Sequence, residues 1–273
     1  MVRRLLNSIS LGTLLLCLPL NASLAASAAD SVAEDPSARG LTIVTEAERR
    51  NQGWGDVRSH LRMELRNAQG DTSERRLRTR TLEVEGDGDK GLTIFDQPRD
   101  VQGTAFLTFT HALIPDDQWI YLPALKRVKR ISSRNKSGPF MGSEFAYEDM
   151  SSFEVEKYRY RYLRDEVLDG LDCFVVESYP NDENSGYTRL VSWFDKQDYQ
   201  TRKIEYFDRK DSALKTLILS DYQQYLEQYW RPLRLQMTNL QTGKSTLLSI
   251  SEIRFRTGLE DADFNRNSLS RVR

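Results

Sequence analysis

The stretch VRSHLRMELRNAQGDTSERRLRTRTLEV, residues 57–84, sets the fold class. Val57, Ser59, Leu61, Met63 and Leu65 alternate with Arg58, His60, Arg62, Glu64 and Arg66. Successive side chains of a strand point to opposite faces, so a period of two marks a β-strand with one buried and one wetted face. Gly70 supplies a turn, and residues 74–84 return as a second strand that ends at the hairpin-like Gly86-Asp87-Gly88-Asp89.

Strand-like runs continue to the end of the chain. Residues 91–95, 104–110 and 118–122 follow, and then Tyr158, Tyr160 and Tyr162 alternate with Arg159 and Arg161. Residues 172–179, 187–194, 202–207, 213–222, 233–238 and 245–255 complete the set. Strand signals of this kind predict about ten or eleven strands. The connections are short and polar, as at Asp169-Gly170 and Thr242-Gly243. Parallel neighbours need a crossover of a dozen or more residues, so the strands are antiparallel and form a meander. A sheet this wide does not stay flat, and it is expected to curl. One helix is predicted, over residues 38–51, where Leu41, Val44, Ala47 and Glu48 follow helical spacing and Gly53 and Gly55 stop it.

The beginning of the chain reads as an export signal. Arg3 and Arg4 precede an apolar run over residues 5–20, and small residues follow at Ser23/Ala25 and Ala26/Ala28. Residues 1–25 are therefore expected to be a signal peptide cleaved near 25–28, residues 26–37 a disordered lead-in, and residues 38–273 one mature domain. An uncleaved anchor is the alternative, disfavoured because the run is short for a membrane span. Cys17, flanked by Leu16 and Leu18, reads as part of the apolar run rather than a lipid-attachment site. Cleavage leaves Cys173 alone, so no intramolecular disulfide is possible in the mature chain. In Cys-Phe-Val-Val it reads as a small buried hydrophobe.

Removal of Arg3 and Arg4 leaves 37 basic against 40 acidic residues. That balance, with export, excludes a nucleic-acid-coating role. The tyrosines at 158, 160 and 162 suit a two-faced strand better than a base-stacking platform. No histidine has an obvious orienting partner, no carboxylate pair is selected by spacing, and Asp87-Gly88-Asp89 is too short for a calcium loop. No catalytic residue, metal ligand or cofactor is expected, and the chain is not read as an enzyme.

The least regular segment carries the candidate site. Residues 120–152 read IYLPALKRVKRISSRNKSGPFMGSEFAYEDMSS, a short aromatic strand, a basic run and then a Ser/Gly/Pro-rich loop. Trp119 and Tyr121 share one strand face, followed by Leu122. The loop carries Phe140, Met141, Phe145, Tyr147 and Met150, with Phe153 just beyond. Gly138, Pro139 and Gly142 oppose regular structure, yet left exposed these large groups would form a binding patch. Core packing is the plainer alternative for any one of them. The arrangement is read as an apolar cavity under a mobile flap, these nine residues being its cavity and lid. Lys126, Arg127, Lys129 and Arg130 form a cationic rim for lipid headgroups or a docking partner. The alternative for that run is a solvated edge strand, where charge discourages sheet-to-sheet association.

The segment from Leu122-Pro123-Ala124-Leu125-Lys126-Arg127-Val128-Lys129-Arg130-Ile131 to Gly142-Ser143-Glu144-Phe145 and Tyr147-Glu148-Asp149 resembles a known signature. It is that of the outer-membrane lipoprotein-sorting protein family, LolA-like periplasmic proteins found with RND/MMPL transporters. Trp193-Phe194-Asp195, Trp230-Arg231-Pro232, Met237-Thr238-Asn239 and Asp261-Ala262-Asp263-Phe264 support the match, which covers residues 41–269. The resemblance implies a mainly β fold, a curved, incomplete antiparallel β-barrel with helices or loops lidding an apolar cavity. It further implies a monomeric periplasmic carrier of lipid or lipoprotein acyl chains, working in outer-membrane biogenesis with an inner-membrane RND/MMPL transporter. A non-carrying accessory subunit of such a permease is the alternative.

Overall fold

Short polar turns between alternating segments leave each strand paired with its chain neighbour, and the computed structural model, which describes residues 34–271, shows that meander. Its first half comprises β1 (Asp56–Arg66), β2 (Thr72–Leu82), β3 (Lys90–Gln97), β4 (Ala105–Phe109), β5 (Asp117–Leu122) and β6 (Arg127–Ile131). The second half comprises β7 (Tyr158–Leu168), β8 (Leu171–Pro180), β9 (Tyr187–Asp195), β10 (Thr201–Asp208), β11 (Ala213–Tyr225), β12 (Tyr229–Asn239) and β13 (Ser245–Phe255). β1 pairs antiparallel with β13, which joins the halves into one 13-stranded sheet. β6 and β7 are its two edges, so the curved sheet is an incomplete barrel.

The strand number exceeds the expected ten or eleven: the twelve strand-like runs of the sequence all form strands, and β6 is a thirteenth. Its residues, Arg-Val-Lys-Arg-Ile, lie exposed or half-exposed on an edge, so burial imposes little apolar alternation there. The rest of the pattern sets the faces. Leu61, Met63 and Leu65 of β1 point to the same side as Leu77, Phe95, Phe106 and Ile120, and there they meet Leu217, Met237 and Leu248. The opposite side of β3–β5 buries Leu92, Ile94, Ala105, Leu107 and Trp119 beneath Leu259, Phe264 and Leu269 from the end of the chain.

The helix α1 spans Pro36–Arg50, starting inside the expected lead-in. The Asp35 carboxylate accepts from the Ser37 N–H at 3.1 Å, and Pro36 occupies a first-turn position where a missing N–H costs nothing. Ile43 and Val44 pack with Tyr160, Val176 and Phe194, holding α1 across β7–β9. Gly40 permits that approach, because a Cβ there would lie 2.8 Å from the Tyr162 backbone nitrogen. The expected signal peptide lies outside the described residues, as does the lead-in up to residue 33. Among the described residues no helix is long and apolar enough to cross a membrane.

Candidate functional site: an internal strap and the cleft beside it

Residues 132–157 connect the two sheet edges, β6 to β7. The segment holds no element longer than a three-residue 3-10 turn, in keeping with its glycines and proline. A single antiparallel bridge, Pro139 with Ala146, folds it into a tight loop. Within the loop the Phe140 N–H donates to the Phe145 carbonyl at 2.7 Å, and the Ser143 hydroxyl donates to the Phe140 carbonyl at 2.7 Å. Met141 takes a left-handed conformation with φ of 51° so that the chain can reverse.

This loop is not a roof over a void; it is the filling. Phe140 is 0% exposed, with ring centroids 5.0 Å from Phe106, 5.9 Å from Phe95 and 5.6 Å from Tyr147. Phe145 is buried in the same core, and Met141, Tyr147, Met150 and Leu122 pack against it. The expected open apolar cavity is therefore corrected: these side chains occupy the space between the sheet halves. Polar pinning explains why the loop sits inward.

Trp119 and Tyr121 do share a face, but it is the other one, packed with Phe264 and Leu269 and away from Phe140. Strand register decides this, since Ile120 and Leu122 point to the strap. Phe153 also stands apart. It is 43% exposed and stacks on Tyr158 at 5.6 Å and 11°.

The Asp149 carboxylate is the principal pin. It accepts from Lys215 Nζ at 2.6 Å, Tyr187 Oη at 2.8 Å and the Ala146 N–H at 2.7 Å. Lys215 and Asp149 side chains are 4% and 7% exposed, and Lys215 also donates to the Glu144 carbonyl at 2.9 Å. Burial, reinforced by Asp149, drives the Tyr187 hydroxyl well above its usual pKa. Glu148 accepts from the Ser185 hydroxyl and the Gly186 N–H, and burial pushes its carboxyl upward despite those bonds. Gly186 lies against the strap, where a Cβ would come within 2.7 Å of Ser137 Cβ.

A second pin lies at the β5 side. Asp116 accepts from Lys157 Nζ at 2.7 Å and Ser151 Oγ at 2.7 Å. Burial alone would raise its pKa, but Lys157, Ser151 and Lys136 together hold it below the usual value. Gln118 Nε2 donates to the Tyr147 carbonyl at 2.8 Å, and Arg75 donates to the Met141 carbonyl. Thus an apolar loop is tied by polar bonds to strands of both sheet halves.

An open cleft of about 680 Å³ lies beside the loop. Pro139, Phe145 and Leu214 give it apolar walls, Lys215 its floor, and Arg209, Lys210 and Lys244 a cationic rim. A smaller cleft of about 300 Å³ shares Gly142, Glu144 and Lys244 and reaches Leu65 and Arg66. Sequence reasoning missed these groups. One signal was available: Lys215 shares strand parity with Leu217 and Leu219, so a charge sits on an apolar face.

The predicted basic rim lies elsewhere. Lys126, Arg127, Lys129 and Arg130 are exposed on and beside edge strand β6, with Arg130 ion-paired to Asp117. Cys173 is fully buried, and burial raises its thiol pKa. Among the described residues no group of three or more His, Cys, Asp or Glu side chains is placed to hold a metal.

A solved domain from Vibrio parahaemolyticus, described as an outer membrane lipoprotein-sorting protein, is 61% identical to this chain. The match covers 86% of this chain and 99% of that one, with a TM-score of 0.84. The chain belongs to the outer-membrane lipoprotein-sorting protein family. A family model described as "Uncharacterized protein" matches residues 87–271. A DUF1329 family protein from Desulfovibrio piger is 29% identical over 86% of this chain and 99% of its own, with a TM-score of 0.82. A LolA superfamily protein from Nitrosomonas europaea, 20% identical over 84% of this chain and 98% of its own, shares the fold at a TM-score of 0.68. A search of curated proteins finds no match.

Proposed function

We propose that this LolA-like protein carries lipid or lipoprotein acyl chains through the periplasm, on the sheet face that the strap now covers. The observation that supports this most is the strap itself. Five large apolar side chains, Phe140, Met141, Phe145, Tyr147 and Met150, lie on a segment without regular structure and pack into an open-edged, curved sheet. The segment mimics an apolar ligand and is replaceable by one. Sequestering about ten methylenes contributes on the order of 8 kcal/mol, against roughly 1.5–3 kcal/mol for each large strap side chain exposed. Exchange of strap for chain is thus near balance, as a carrier that must also unload requires. Delivery across the envelope pairs the protein with an RND/MMPL-family inner-membrane transporter, the protein acting as a monomer. Organic extraction of protein purified from its own periplasm, followed by mass spectrometry, is expected to release lipid. Consistently empty protein that also fails to take up a fluorescent fatty acid refutes the proposal.

The filled interior favours a second reading, an accessory subunit that docks to the permease without carrying lipid. Its docking surface is the exposed edge with Lys126, Arg127, Lys129 and Arg130. Capture of the transporter that survives Phe140→Ser and Phe145→Ser but fails after charge reversal on β6 supports this reading over the first.

A further inference from the structure

We infer that the cleft over Lys215 seats the phosphate of an anionic phospholipid, with Asp149 standing in its place while the strap is closed. The inference rests on the carrier reading and names its cargo class. The argument begins with what strap displacement leaves behind. Lys215 and Tyr187 belong to the sheet, on β11 and β9, whereas Asp149 belongs to the strap. When acyl chains replace the strap, Asp149 leaves with it, and Lys215, 4% exposed beneath the strap, is covered again without its carboxylate. An unpaired buried charge is among the costliest arrangements in a protein, and a neutral lipid offers it no replacement. A phosphate offers anionic oxygens both to the Lys215 ammonium and to the Tyr187 hydroxyl, the two side-chain donors that Asp149 now serves.

The surroundings complement the same charge. Among the described residues, Lys210 and Lys244 form no ion pair within 4.0 Å, and both are exposed at the rim. Arg209 directs its guanidinium to the Ser185 and Asn184 carbonyls at 3.0 and 2.8 Å, which leaves its charge uncompensated. The two acidic groups on the lining are already engaged. Asp208 accepts from the Lys210 and Ser212 N–H groups and from Gln241, and Glu144 accepts from Asn239. Phe145 and Pro139 of the strap form one wall of this cleft, so strap withdrawal joins the cleft to the vacated space, and the chains of a headgroup held at Lys215 run into it. The acylated amino terminus of a lipoprotein carries no phosphate and is not the ligand this site fits.

The test measures binding of four probes to the mature protein: phosphatidylglycerol, diacylglycerol with the same chains, a triacylated lipopeptide, and inorganic phosphate. Phosphatidylglycerol is expected to bind at least about tenfold more tightly than the two phosphate-free ligands, the factor given by one net charge-assisted hydrogen bond. Lys215→Met should abolish that ratio. Because a buried substitution risks misfolding, the surface pair Lys210→Ala/Lys244→Ala provides the second arm and should lower the ratio several-fold. Inorganic phosphate is expected not to compete at concentrations where phosphatidylglycerol saturates. Equal binding of the three lipids overturns the inference and leaves the carrier reading standing. Competition by phosphate alone overturns the lipid source. Absence of binding by every lipid removes the carrier reading, and the inference with it.

Discussion

Replacing Phe140 with alanine separates a strap that competes with cargo from a strap that merely completes the core. The ring is fully buried, so truncation costs about 3–5 kcal/mol in total. Its neighbours divide that loss. Phe106 and Phe95 belong to the sheet, whereas Tyr147 belongs to the strap and moves with it. If two of the three ring contacts vanish on opening, the closed state is weakened by roughly 2–3 kcal/mol relative to the open one. The open population then rises about 30- to 160-fold. Apparent affinity scales with the binding-competent fraction, so a fluorescent fatty acid should bind more tightly by up to that factor. The assay pairs probe titration with urea unfolding. Val175→Ala is the control, since Val175 is equally buried but in the separate cluster around Cys173 and Trp193. It should lower stability without raising affinity. Loss of probe binding in Phe140→Ala, with the control unchanged, refutes the competition argument, because the ring would then be part of the ligand site rather than its occupant.

Other consequences are equally direct. Lys215→Met should destabilise the protein by about 3–5 kcal/mol in urea unfolding, and Lys215→Met/Asp149→Leu should recover most of it, since the cost lies in stranding one charge. Equal loss in the single and double variants contradicts the pairing. Gly186→Ala should speed amide exchange in residues 136–149 while sparing β1 and β2, because its Cβ would stand 2.8 Å from Glu148 Oε1. Unaltered strap exchange rules out that contact as a constraint. Burial and neighbouring carboxylates raise Glu48 and Asp89 to about 7, from ordinary values of 4.5 and 3.8. The folded chain therefore holds extra protons between pH ~4 and ~7, and this contribution to stability declines as pH rises through that window. The Tm drop between pH 5 and pH 8 should shrink in Glu48→Gln/Asp89→Asn, and an unchanged drop would show that these groups do not govern it.

The sheet was legible because burial on one face writes itself into a period of two, as at Leu61, Met63 and Leu65. The antiparallel meander followed from turn length alone. β6 was read as an edge strand only in the alternative to a cationic rim, since an exposed edge leaves Arg127 to Ile131 free to be basic. The apolar character of residues 140–150 was plain, but their inward seat was not. It depends on Asp149 and Asp116 meeting Lys215 and Lys157, partners 66 and 41 residues away that no local pattern announces. Trp119 illustrates the limit of face assignment. Its alternation with Ile120 was certain, yet only tertiary packing decides which of the two faces the strap and which the chain's end.

Amide hydrogen exchange of the strap, followed with and without bound phospholipid, tests the central claim most directly. In the unliganded protein the Phe140 and Tyr147 N–H groups, bonded to the Phe145 and Gly138 carbonyls, should exchange slowly. Loading with lipid should release that protection across residues 138–149 while β11 and β12 stay protected. Lipid bound at full occupancy with the strap still protected contradicts the claim that chain and strap compete for one face.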